Sequence, residues 1–203
     1  MVGTIGFAGS EARDRGALRN WWLRLALPHI TAALLGGLLF GLAVTLLGAL
    51  VSGALDSREP AVAVVGLAIF SLADVMRLPA KVFARARQVP LSWKHIFPPP
   101  VSSALYGFVL ATGFLSTVYY WSFYALVFAI FVVANPSVGA AAGAAFGFGR
   151  TVPVALSPLV RGGEELDQVA ERMSRHLHPG AVTATFLSAA ATAVAALALL
   201  EWK

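Results

Sequence analysis

Arg150 is the residue whose chemistry is hardest to ignore. It stands in AAFGFGRTVPVAL, residues 144–156, as the one charged group of an apolar run that extends over about 138–160. A guanidinium in hydrocarbon costs at least about 2.5 kcal/mol, so it must be paired or must reach water. Asp74, in SLADVM, is the acid at a comparable place in another apolar run, about 61–79. At 1.5 Å per residue, counted from the outer ends of the two runs, Arg150 lies ~18 Å deep and Asp74 ~20 Å deep. Matched depths predict that the two face each other and offset each other's desolvation. Arg77, one turn from Asp74, is a competing partner. Snorkelling of Arg150 to the cytoplasmic headgroups is a third arrangement. The chemistry such a pair supports is the holding of a proton, an ion or a small solute. Thr117, a hydroxyl inside a third apolar run, joins Arg150 and Asp74 as a candidate for that site.

Other chemistries find no foothold. The chain has no cysteine, which removes disulfides, thiolate metal sites, iron–sulfur clusters and thiol relays. His29, His95, His176 and His178 show no zinc-enzyme spacing and no regularly spaced acid beside them, so no metal site is expected. No Ser-His-Asp or paired-carboxylate arrangement can be argued, because nearly all acids lie between the apolar runs. Gly147-Phe148-Gly149 lacks the third glycine and the preceding strand of a dinucleotide site. The reading is therefore not an enzyme, with no cofactor. A net charge of +5 invites nucleic acid, but the basic residues flank apolar runs, where they set orientation and meet anionic headgroups.

The elements that must position Arg150 and Asp74 are membrane helices. The 203-residue chain is 58% hydrophobic and 12% charged, about half the usual charged share of a soluble domain. Its apolar residues fall in blocks, near 29–55, 61–79, 101–134, 138–160 and 181–200, the length scale of membrane spans. The expected fold is an all-α integral membrane protein, a bundle of five transmembrane helices, or six if the third block is split. As one straight helix that block would measure about 50 Å against a core of about 30 Å, so it is long or interrupted, with Thr112-Gly113 and Ser116-Thr117 as break points. With five spans and the N-terminus inside, the cytoplasmic parts hold Arg13, Arg15, Arg19, Arg24, Arg77, Lys81, Arg85, Arg87, Lys94, Arg161, Arg172 and Arg175. The outer parts hold Arg58 and Lys203. That asymmetry favours five spans with a cytoplasmic N-terminus.

The organisation is thus an N-terminal cytoplasmic or interfacial segment, 1–28, and a single transmembrane domain, 29–203. The N-terminus has neither the charge order of a signal peptide nor a glycine after the first methionine for myristoylation. Trp21 and Trp22 beside Arg19 and Arg24 suit a membrane-interface anchor. Gly139, Gly143 and Gly147 recur every four residues on one helix face, where another backbone can approach, and are read as helix packing. EELDQVAERMSRHL, 164–177, reads as a short amphipathic helix on the inner leaflet, or as a docking helix for a partner. AALLGG at 32–37 and SALYGF at 103–108 share an Ala-Leu-x-Gly core, at the spacing that separates Ala54-Leu55 from Ala125-Leu126, a candidate internal repeat.

GFVLATGFLSTVYYWSFYALVFAI, 107–130, followed by SVGAAAGAAFGFGRTVPVALSPL resembles the second half of the transmembrane domain of the CcdA/DsbD family, bacterial inner-membrane proteins that pass electrons between thiols. Residues 36–79 are similar to that family's second and third helices. Where the family has a Thr-Pro-Cys interruption this chain has Thr117, Val118 and Tyr119. The missing cysteines mean that thiol relay does not carry over. The resemblance implies architecture, a compact bundle with an interrupted third helix, in a bacterial inner membrane. Two functions remain open: an accessory or structural subunit of a larger bacterial membrane complex, and a small-solute or ion transporter with an intramembrane Asp/Arg site. The expected partners are the lipid bilayer and other membrane subunits or a second copy of the chain.

Overall fold

The computed structural model describes residues 16–55, 59–76, 78, 92–113 and 121–159. Among them all regular structure is helical. Thr117, the 164–177 helix, the 181–200 span and most of the basic 80–100 connector lie outside the described residues.

The first helix, α1, is built from Leu18–Trp21, a π turn Trp22–Ala26, and Leu27–Leu55. It therefore begins at Leu18, upstream of residue 29. The π turn has a local cause. Pro28 has no N–H to give, and its ring crowds the carbonyl four residues back. A wider turn just before it, closed by the Leu27 N–H on the Trp22 carbonyl, relieves that conflict. The stretch Leu18–Val51, 34 residues, is long and apolar enough to cross a membrane. The apolar helices Val65–Val75 and Trp121–Val133 are shorter.

Helix α2 is Glu59–Val75, α3 the single turn Trp93–Ile96, α4 Pro99–Thr112, α5 Trp121–Val133, and α6 Pro136–Leu156, which runs into a 3₁₀ turn, Ser157–Leu159. α4 opens on Pro99, where a missing N–H costs nothing, and stops at Gly113, whose φ of 69° places it in the left-handed region that glycine favours. The third apolar block is thus two helices. α6 starts with a complete cap. The Asn135 side-chain oxygen accepts the N–H of Ser137 at 3.0 Å and that of Val138 at 3.3 Å, and Pro136 takes the first helical position.

The chain divides into two compact units. Unit 1 is Met1–Phe40, Arg85–Thr117 and Gly143–Arg175, and unit 2 is Gly41–Ala84, Val118–Ala142 and His176–Lys203. In unit 1, α4 runs parallel to α1: Ser103 meets Leu25, Gly107 meets His29, and Phe108 meets Gly36. α6 runs antiparallel to α1, with the Gly143 carbonyl against Gly37 and Gly147 against Ala33. Any Cβ at Gly37 would collide with that carbonyl, so the two backbones approach as closely as glycine allows. Trp21, Ala26 and Val154 form a buried apolar cluster.

In unit 2, α2 and α5 pack antiparallel. Phe70 stacks on Trp121 at 5.9 Å and meets Phe128 edge-on at 5.7 Å, while Gly66 lies against Phe128. Gly139 of α6 sits on Gly41 and Thr45 of α1, and Gly48 sits under the Phe131 carbonyl. The Thr45 hydroxyl turns back to its own helix, donating to the Gly41 carbonyl at 3.0 Å, a common way for an apolar helix to satisfy a hydroxyl.

Candidate functional site

Asp74 lies in the last turn of α2 and is only 3% exposed. Its carboxylate stands at the start of α5: Oδ1 accepts the Trp121 N–H at 2.7 Å and Oδ2 the Ser122 N–H at 2.8 Å. The first amides of a helix have no partner within it, and its N-terminus carries partial positive charge. An acid from a neighbouring helix answers both needs. The Trp121 indole closes the same corner by donating to the Leu78 carbonyl at 3.0 Å. Asp74 is thus an N-cap supplied from another helix. The sequence of α5, WSFYALVFAIFVV, contains no acid of its own.

Arg150 lies in α6 within unit 1 and is half-buried. Its guanidinium carbon is 5.6 Å from the centre of the Phe146 ring, one turn back on the same helix, close enough for a cation–π contact. Pro153, inside the helix, has no N–H for the Gly149 carbonyl. Next to it the Thr151 hydroxyl donates to the Phe148 carbonyl at 2.7 Å. Asp74 belongs to unit 2 and Arg150 to unit 1, and each has partners inside its own unit. The Arg77 side chain is outside the described residues.

Trp21 and Trp22 part company. Trp22 is exposed, whereas Trp21 is 4% exposed and packed with Ala26 and Val154. Their rings meet edge-on at 5.3 Å. Of the glycines, Gly139 faces Thr45, Gly147 faces Ala33 and Ala111, and Gly143 turns its carbonyl to Gly37.

His29 is a residue that its position in the sequence does not single out. It is 2% exposed, and its Nδ1 lies 3.1 Å from the Ser103 carbonyl oxygen. A carbonyl only accepts, so Nδ1 carries the hydrogen and Nε2 offers a lone pair. Ser103 also ties the π turn, its hydroxyl donating to the Leu25 carbonyl at 2.8 Å. On α1 and α6 the contacts are Gly37–Gly143 and Ala33–Gly147, and His29 and Thr151 stand four residues further along each helix. The signals that could have found His29 are Pro28 beside a histidine within an apolar helix, and the Ser102-Ser103 pair at the start of α4. Among the described residues no group of three His, Cys, Asp or Glu could hold a metal ion. No protein-family model, curated protein or solved structure matches this chain.

Proposed function

We propose that this chain is a multi-pass protein of a bacterial inner membrane, N-terminus cytoplasmic, that serves as an accessory or structural subunit of a larger membrane complex. The observation that carries this reading is the outward face of α1. Leu35, Leu39, Leu46, Leu47 and Leu50 are all exposed, Leu50 to 82%. An apolar face of that length marks contact with lipid or with other membrane helices. The polar groups point the same way. Asp74 is engaged in holding α5, and the hydroxyls of Thr45, Ser71, Thr112 and Thr151 donate to carbonyls of their own helices.

Five crossings are the arrangement we favour, with α4 and α5 as two halves of one interrupted span. The left-handed Gly113 that ends α4 supports an interruption in that block. Small-solute or ion transport is a second reading. It is favoured by the break after Thr112 and by a half-buried arginine in a helix, because broken helices are where transporters build their sites.

The test is the particle mass after gentle solubilisation. A complex containing other polypeptides, well above one or two 21.3-kDa chains, is expected. A monomer or homodimer whose melting temperature rises with one small solute would overturn the accessory reading in favour of transport.

A further inference from the structure

The Trp21 indole nitrogen and Nε2 of His29 are both buried, and among the described residues neither has a hydrogen-bond partner. Such groups are rare in folded chains, because a desolvated donor or acceptor left alone loses its bond to water and gains nothing in return. Here there are two, in one short stretch of α1, and they flank the π turn Trp22–Ala26. One is a donor. The other is an acceptor, since Nδ1 already gives its hydrogen to Ser103.

We propose that unit 1 binds buried water at this π turn, one molecule donating to His29 Nε2 and one accepting from the Trp21 Nε1–H. Water is the ligand class that fits both ends, because one molecule can donate and accept. A metal cation would suit the imidazole lone pair, yet α1, α4 and α6 contain no carboxylate to accompany it. An anion would suit the indole N–H but not the lone pair. A buried water also needs two to four polar partners: each ring nitrogen is one, and the two lone pairs of the carbonyl left by Pro28 offer a second to each molecule. Pro28 has no N–H, so the carbonyl it would have bonded, Leu23 in the π register or Arg24 in the α register, is released in the same stretch. π turns are themselves frequent at working parts of helices. These sites are independent of whether the chain is an accessory subunit or a transporter.

The test is nuclear magnetic resonance on the full ¹⁵N-labelled chain in lipid nanodiscs, with both side chains assigned through the backbone so that no variant is needed. Two signals are expected: a cross-peak between water and the Trp21 Hε1, and a His29 Nε2 resonance shifted upfield of a bare unprotonated imidazole nitrogen. The protonated Nδ1 resonance of the same ring is the internal check on the tautomer. Loss of either expected signal overturns the proposal: a Trp21 Hε1 without a water cross-peak, or an Nε2 at the position of an unbonded nitrogen.

Discussion

Asp74 on α2 holds the first two amides of α5, with Oδ1 on Trp121 at 2.7 Å and Oδ2 on Ser122 at 2.8 Å. Hydrogen bonds to a charged group contribute about 1.5–3 kcal/mol each, and a helix cap about 1 kcal/mol. Asp74→Ala should therefore lower unfolding stability by about 2–4 kcal/mol, and Asp74→Asn, which keeps one acceptor oxygen, should fall between. Denaturation of both variants in one detergent checks the order. Asp74→Asn as stable as the parent but without function would favour a transport site over a cap.

The approach of α1 to α6 gives a second contrast. Gly37→Val forces a side chain into the Gly143 carbonyl and should cost about 1–3 kcal/mol or more, as overpacking does. Gly149 has nothing within 4 Å of where a Cβ would stand, so Gly149→Ala should be neutral or stabilise by up to about 1 kcal/mol, the helix preference of alanine over glycine. Melting temperatures of the two single variants decide this.

Arg150 and Phe146 should be energetically coupled. A double-mutant cycle of Arg150→Met and Phe146→Leu should return about 0.5–1 kcal/mol for the cation–π contact. A coupling near zero would mean that the ring only packs beside the guanidinium. Arg150→Met also tests the transport reading. Function lost with folding intact supports an anion or proton site, whereas unchanged function with better expression removes it.

Asn135 caps α6 through one oxygen that also accepts the Ser137 hydroxyl at 2.6 Å. Asn135→Ala should lower stability by about 1 kcal/mol, and Asn135→Asp should retain most of it. Faster amide hydrogen exchange at Ser137 and Val138 in the alanine variant is the expected local signature.

Helical class is written in the residues themselves: long blocks of Leu, Ala, Val and Gly with almost no charge cannot leave backbone groups unpaired in an apolar setting, and helices pair them locally. Local punctuation is legible too. Gly113 stops α4, and Asn135-Pro136 starts α6, because caps and φ preferences act over a few residues. The four-residue glycine spacing marks a face that another helix can approach, but not that Gly37, Ala33 and Thr45 are what it meets. Depth counting likewise sets Asp74 level with Arg150, but it does not foresee the α5 amides that the carboxylate holds. Nor does any pattern announce that Trp21 turns inward while Trp22 stays exposed. Conformational preference is a property of neighbours along the chain, whereas the partner of a side chain is set by helix register between residues tens of positions apart. Only tertiary packing decides that register, because it is fixed where backbones can come closest without a Cβ in the way.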